Sequence, residues 1–267
     1  MLGKLIGYET KAFGRIMLPL YGATLAFALF TGLSIRFLPE SATTGLPGVL
    51  MFMLYGMLIM AIIIMTCVLS VTRFYKNLLG LEGYLMFSLP VGTAPLIASK
   101  VISVLIWSAL STIAAMMSMA LSVLGAGGIG PFKEFFEMLN YPEIAERLPT
   151  AIGLTTMFIL LAVAGTAASI VRIYAGIAIG HQFNNHRILF SILALVAFNV
   201  IGTTIMSLLG SAGMYSGVFD SISRIFDADT IQALYIAQAG MLGFLALQIA
   251  FFGVLTWALL DRKLNLE

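Results

Sequence analysis

Six stretches of the chain contain no Asp, Glu, Lys, Arg or His, and each is long enough to cross a bilayer. They cover approximately residues 17–35, 49–71, 101–124, 150–171, 188–210 and 232–260. A spanning helix needs about 20 apolar residues, because the hydrocarbon layer is about 30 Å thick and every backbone polar group must be paired within the helix. Charged residues make up 10% of the chain, against about 25% in soluble domains. The sequence therefore predicts an all-α integral membrane protein with six transmembrane helices, and it excludes a soluble fold.

The spans and their connections use almost all of the 267 residues, so we expect a single transmembrane domain over 1–267. With their apolar flanks included, the predicted spans are 17–37, 49–71, 101–124, 150–178, 188–210 and 232–260. Ala26-Phe27-Ala28 is similar to a signal-peptidase site, but the apolar run continues through Phe37, so we expect a retained first span. Cys67 is the single cysteine, which excludes a disulfide framework within the chain.

The basic residues are distributed unevenly between the connecting segments. A cytoplasmic N-terminus places ten Lys and Arg residues inside, Arg172 and Lys100 among them, and four outside. The opposite placement would violate the positive-inside bias. We therefore predict cytoplasmic termini and a multi-pass protein of the cytoplasmic membrane, with an amphipathic external helix between Gly130 and Pro149.

Residues 1–16 are predicted to form an amphipathic helix lying on the membrane surface. At 100° per residue, Lys4, Lys11 and Arg15 fall on one face and apolar side chains fall opposite. Glu9 projects from the apolar face, where an unpartnered carboxylate is costly. Two explanations stay open: Glu9 reaches water from a distorted helix, or it forms an ion pair with another cytoplasmic segment.

The segment from Arg73 to Lys100 is too polar to span and too apolar to be a free linker. We predict a short amphipathic helix over about 72–88, ended by Pro90, within an inner-surface segment 72–95. Such a helix is well shaped to dock on a soluble protein.

Short motifs occur in this segment and in the one before the fifth span. They are Arg73-Phe74-Tyr75, Glu82-Gly83-Tyr84-Leu85, Ser88-Leu89-Pro90-Val91, Ser99-Lys100, Ile173-Tyr174, Ile179-Gly180 and Asn185-His186. With these motifs the chain resembles the permease subunits of bacterial type-2 ATP-binding-cassette (ABC) exporters. The likeness covers most of the chain in architecture and about 45 residues in motif.

The resemblance implies that two permease subunits, identical or different, form the transport pathway. Separate nucleotide-binding subunits would bind ATP and Mg²⁺ and hydrolyse the nucleotide, so this chain itself would carry no cofactor and would not be an enzyme. The segment around Glu82 would be the coupling helix. The residues expected to couple to the ATPase are Arg73, Lys76, Glu82, Gly83, Tyr84, Asn185 and His186.

Motifs of other chemistries are missing from the sequence or lie in the wrong context. No GxxxxGK[ST] phosphate loop occurs. The GxGxxG match at Gly125, Gly127 and Gly130 follows a membrane helix instead of a strand. His181 and His186 have no acid nearby in sequence, so we expect no metal site there. We also expect no nucleic-acid partner.

Inside the predicted spans the polar candidates are uncharged. Asn199, Gln238 and Gln248 either line a pathway or form interhelical hydrogen bonds that fix packing. A pathway without charges favours export of a hydrophobic or amphipathic compound, such as a peptide antibiotic, a drug or a lipid. The alternatives are a scaffold or immunity protein that moves no cargo, and the substrate-binding subunit of an energy-coupling-factor vitamin importer.

Overall fold

The computed structural model describes residues 2–43, 45–80, 92–183, 186–215 and 230–262. Its helices are α1 Leu2–Phe37, α2 Glu40–Thr43, α3 Leu46–Phe74, α4 Thr93–Gly127, α5 Gly130–Leu139, α6 Pro142–Gly180, α7 Arg187–Tyr215 and α8 Thr230–Arg262. Within the described residues there is no strand, and six helices are long and apolar enough to cross a membrane. The predicted fold class, an all-α protein with six such helices, is confirmed.

The N-terminal helix continues directly into the first apolar stretch. Leu2–Phe37 is one 36-residue helix, so the expected boundary at residue 16 is absent. Pro19 lies inside this helix. Proline is tolerated in membrane helices because local adjustments and neighbouring groups can satisfy the carbonyl that its missing N–H leaves free. The amphipathic part is therefore the first four turns of α1 and not a separate element.

Two other helices begin earlier than the sequence indicated. α4 starts at Thr93 and not near residue 101, because Pro95 falls in its first turn, where no intrahelical N–H is required. α6 starts at Pro142 and not near residue 150, with proline again at the first helical position. The charged residues 143–147 thus belong to α6, and the helix predicted between Gly130 and Pro149 is present as α5 but ends at Leu139.

A π-helical turn, Tyr75–Leu79, follows α3 directly. It ends at Gly80, whose N–H donates to the carbonyl oxygen of Tyr75 five residues earlier, at 2.9 Å. Asn77, Leu78 and Leu79 are all buried. The helix predicted over 72–88 is thus helical through Leu79, and its remainder lies in 81–91, outside the described residues.

The chain divides into two compact units. The first contains residues 1–73 and 98–151, and α1, α3 and α4 pack together in it. Trp107 of α4 stacks on Phe13 of α1, with ring centroids 6.2 Å apart. Hydroxyl pairs supplement this apolar contact: Tyr21 with Ser111 and Tyr55 with Ser118, both at 2.7 Å. Such pairs satisfy polar groups that lipid would otherwise leave unpaired.

Glycine allows α1 and α4 to approach to backbone contact. A Cβ added at Gly125 would lie 2.9 Å from the Cα of Gly32, and one added at Gly32 would overlap the carbonyl oxygen of Ser122. Small residues at helix crossings permit this close packing in membranes.

The second unit contains residues 74–97 and 152–267. α6 is its most buried helix, with Ala168, Tyr174 and Ala175 at 1% exposure or less. Gly180 approaches the side chain of Ser191 at the start of α7, so an added Cβ would overlap it. The end of α6 and the start of α7 are therefore in close contact.

Candidate functional site

A buried ion pair joins the N-terminal part of α1 to α4. Lys100 Nζ lies 2.7 Å from Glu9 Oε1, and the two side chains are 3% and 8% exposed. Lys100 Nζ also makes a long contact, 3.5 Å, with the carbonyl oxygen of Arg73. Of the two explanations left open for Glu9, the structure shows the ion pair. Its partner directly precedes the third uncharged stretch, and the basic residues of the predicted interfacial helix, Lys4, Lys11 and Arg15, are exposed.

The residues that Lys100 Nζ contacts lie on two different helices. Glu9 belongs to α1, Arg73 is the residue before the last one of α3, and Lys100 itself lies in the second turn of α4. Removing one partner of a buried pair leaves an uncompensated charge, which typically costs about 3–5 kcal/mol. Lys100 is thus tied to α1 by a contact that is expensive to break.

The predicted coupling residues fall partly outside the described part of the chain. Glu82, Gly83, Tyr84 and Asn185 lie there. Lys76 is exposed on the π-helical turn, and His186 is exposed just before α7. Arg73 is half-buried at the end of α3.

Two of the motif stretches named above contact each other through a ring cluster, here called the motif cluster: Phe74, Tyr75, Tyr174 and His181. Phe74 and Tyr174 stack with centroids 3.9 Å apart and planes 9° apart. Both are fully buried, at 0% and 1%. Tyr75 lies 5.6 Å from the His181 ring. Stretches about 100 residues apart in sequence are therefore in contact within the second unit.

His181 gives the motif cluster a titratable group. Burial lowers the pKa of His181 below its usual 6.5, and the nearby positive charge of Arg187 lowers it further, whereas a hydrogen bond at its own backbone opposes this. The imidazole Nε2 is buried and has no hydrogen-bond partner among the described residues. The neutral ring is therefore the favoured form.

A second polar group lies within the helices of the second unit. Arg172 Nη1 donates to Asn199 Oδ1 at 2.9 Å, and Nη2 donates to Gln248 Oε1 at 2.7 Å. The guanidinium carbon lies 5.9 Å from the centre of the Phe252 ring. We name these four residues the arginine cluster. It brings together two of the three predicted pathway residues through a cation that the sequence had assigned to the cytoplasm.

The two amides of the arginine cluster lie near the middle of α7 and α8, whereas Arg172 is eight residues before the end of α6. Asn199 is twelve residues after Arg187, or about 18 Å along α7, and Gln248 is 13 residues before Asp261, or about 20 Å along α8. Half of the hydrocarbon thickness is about 15 Å. In spanning helices of this length, the guanidinium that contacts both amides would lie at membrane depth. The candidate span Ile144–Gly180 includes Arg172, so the expectation of spans without a charge is corrected.

The two amides explain how the helices accommodate this charge. Placing Arg at a helix centre costs about 2.5–3.5 kcal/mol on insertion scales. A hydrogen bond to a charged group contributes about 1.5–3 kcal/mol. Two such bonds offset the insertion cost, although no Asp or Glu among the described residues lies within ion-pair distance of Arg172. The positive charge remains.

Gln238 is separate from the arginine cluster. It lies ten residues before Gln248 on α8, and its Oε1 is buried without a hydrogen-bond partner among the described residues. Arg172 was missed as a site residue because it directly follows an uncharged stretch and was read as a flanking cation. The available signal was the apolar sequence after it, Ile173 to Gly180, which continues the span.

Groups of three or more His, Cys, Asp and Glu able to hold a metal are not found among the residues that the structure describes. No protein-family model, curated protein or solved structure matches the chain.

Proposed function

We propose that this chain is the permease subunit of an ABC exporter in the cytoplasmic membrane. It would work with a second permease subunit and with a separate ATPase that binds ATP and Mg²⁺. The cargo would be a hydrophobic or amphipathic compound. The proposal starts from the motif resemblance and from six helices that are long and apolar enough to cross a membrane.

The motif cluster is the observation that carries the proposal. A permease must transmit movement of an attached ATPase to its helices, which requires that the docking segments be firmly anchored. Phe74 and Tyr174 would anchor two such segments on each other. Tyr75, Lys76 and His186, three of the residues in or next to these segments, are exposed. π-helical turns are frequent at functional sites, and the turn after Phe74 falls within this surface.

The alternatives make less use of these features. A scaffold needs a binding surface but no link between that surface and the spans, and the substrate-binding subunit of a vitamin importer does not need the segment from Arg73 to Lys100. Under both alternatives, the stack of Phe74 on Tyr174 and the ion pair at Lys100 would have no role in function.

The test is co-purification and coupling. The reading frames next to the gene are searched for a phosphate-loop ATPase, and such an ATPase is expressed together with the chain. The complex is placed in lipid, and ATP hydrolysis is measured with and without candidate cargo. Glu82→Gln should weaken docking by about tenfold or more, because a charged hydrogen bond contributes about 1.5–3 kcal/mol. Glu146→Gln, an exposed residue on the side predicted to be external, is the matched control.

Loss of cargo-stimulated hydrolysis in Glu82→Gln alone, at normal expression, supports the proposal. Unchanged coupling in both variants removes Glu82 from the mechanism. Failure of any ATPase to co-purify would instead favour the scaffold alternative.

A further inference from the structure

We propose that the arginine cluster binds the anionic group of an amphipathic molecule, a carboxylate or a phosphate, at membrane depth. This inference rests on the proposed permease function for the identity of the molecule as cargo. The binding itself does not depend on that function.

The first step is the unbalanced charge. Arg172 donates one hydrogen bond to each of two neutral amide oxygens, so it is oriented but not neutralised. Its Nε is buried without a hydrogen-bond partner among the described residues. A cation at membrane depth ordinarily pairs with an anion or faces a water-filled cavity.

The second step is that this chain does not supply the anion from its own spans. The six uncharged stretches contain no Asp or Glu, and the buried Glu9 is already engaged with Lys100. A second copy would bring the same stretches and therefore no carboxylate at this depth. A bound ligand can supply this anion and is consistent with a pathway through this chain.

The third step concerns the shape of that ligand. The Nη1 bond to Asn199 is exposed, so this edge of the guanidinium is open to an incoming oxygen. A planar guanidinium presents paired N–H groups that match carboxylate and phosphate oxygens. Beside it Phe252 packs edge to face on Phe198 at 4.8 Å. Val196 and Val200, on the same helix as Asn199, are more than half exposed.

A ligand that fits this arrangement has an anionic head, which contacts Arg172, and an apolar chain, which lies along these aromatic and aliphatic side chains. Free fatty acids and acidic phospholipids share this chemistry. The cluster therefore selects for one negative charge joined to a long apolar body, and against the uncharged equivalent.

The experiment is native mass spectrometry of the purified full chain after exchange into a neutral detergent. One arm adds oleate or methyl oleate, and the other adds phosphatidylglycerol or phosphatidylcholine. We expect the wild-type chain to retain the anionic member of at least one pair about tenfold more than its neutral counterpart. Retention of oleate identifies a fatty-acid-type ligand, and retention of phosphatidylglycerol alone identifies a lipid headgroup.

The variants separate charge from folding. Arg172→Gln should abolish the preference, whereas Arg15→Gln, an exposed cation of α1, should keep it. Arg172→Lys retains the positive charge but not the paired N–H groups of the guanidinium. This variant should therefore keep a reduced preference for the anionic lipid, even if Arg172→Gln is poorly folded. Gln248→Leu frees Nη2 and should lower retention several-fold.

Equal retention of anionic and neutral members by the wild type overturns the proposal, as does an unchanged preference in Arg172→Gln. Because the measurement needs no ATPase, the two proposals fail separately. Anion binding without ATPase coupling would keep the site and remove the permease function. ATPase coupling without a preference for anions would keep the permease function and remove the anion site.

Discussion

Breaking the Glu9–Lys100 ion pair should destabilise the protein more than replacing both residues. At 2.7 Å and an effective dielectric constant of about 20, the gross attraction is about 6 kcal/mol. Desolvation of two ions that are at least nine-tenths buried offsets most of it. Glu9→Leu or Lys100→Met alone leaves a buried charge, which we expect to cost about 3–5 kcal/mol.

The double variant Glu9→Leu/Lys100→Met removes both charges and fills the site with apolar side chains. Replacement of a whole buried pair is often neutral or stabilising, so we expect it to lie within about 1.5 kcal/mol of the wild type. The coupling energy between the two sites should then exceed about 3 kcal/mol.

The assay is thermal unfolding in mild detergent, followed by fluorescence-detected size exclusion. At roughly 2 °C per kcal/mol for a chain of this size, each single variant should lose about 6–10 °C and the double variant about 3 °C or less. Lys11→Met, an exposed cation of α1, should change the free energy of unfolding by no more than about 0.5 kcal/mol. Single variants as stable as this control, with effects that simply add in the double variant, would refute the reasoning.

Three further predictions concern pH, packing and topology. Because burial lowers the pKa of His181, protonation of this side chain disfavours the folded state. The melting temperature should therefore fall as the pH drops below 6.5 and stay level above it. His181→Phe should remove this dependence. Gly32→Ala should lose more than about 1 kcal/mol by overpacking against α4, whereas Gly56→Ala, with open space around it, should be neutral or stabilising in the same melting assay. In a chain lacking its native cysteine, an impermeant thiol reagent applied to intact cells should label a Cys at position 137 and not one at Lys76; the opposite pattern would invert the predicted topology.

The sequence was sufficient for the spans because their signal is compositional. Runs free of charge are long, and helices are the way such runs satisfy their backbone in lipid. The first residues of the helices were harder to predict. Pro95 and Pro142 look like helix breaks in the sequence, but proline is tolerated in the first turn of a helix.

The polar contacts, too, were only partly predictable from the sequence. Glu9 was predictable as a paired residue because its position conflicts with the helix face around it. Lys100 as its partner was not predictable, since the match depends on how α1 and α4 cross. Arg172 was missed because a cation at the edge of an uncharged run is usually a flank, and only its distance to Asn199 and Gln248 places it at membrane depth.

The π-helical turn at Tyr75–Leu79 makes this part of the chain tolerant of a change in length. Its bond from Gly80 to Tyr75 spans five residues, so the turn holds one residue more than α-helical bonding would need. Deleting Lys76 would convert the turn to an α-helical one and leave the flanking residues in their present rotational phase. The same deletion in the middle of α6 would rotate every later side chain of that helix by about 100°. Single-residue insertions and deletions among relatives of this chain should therefore collect at the turn and be rare within α6.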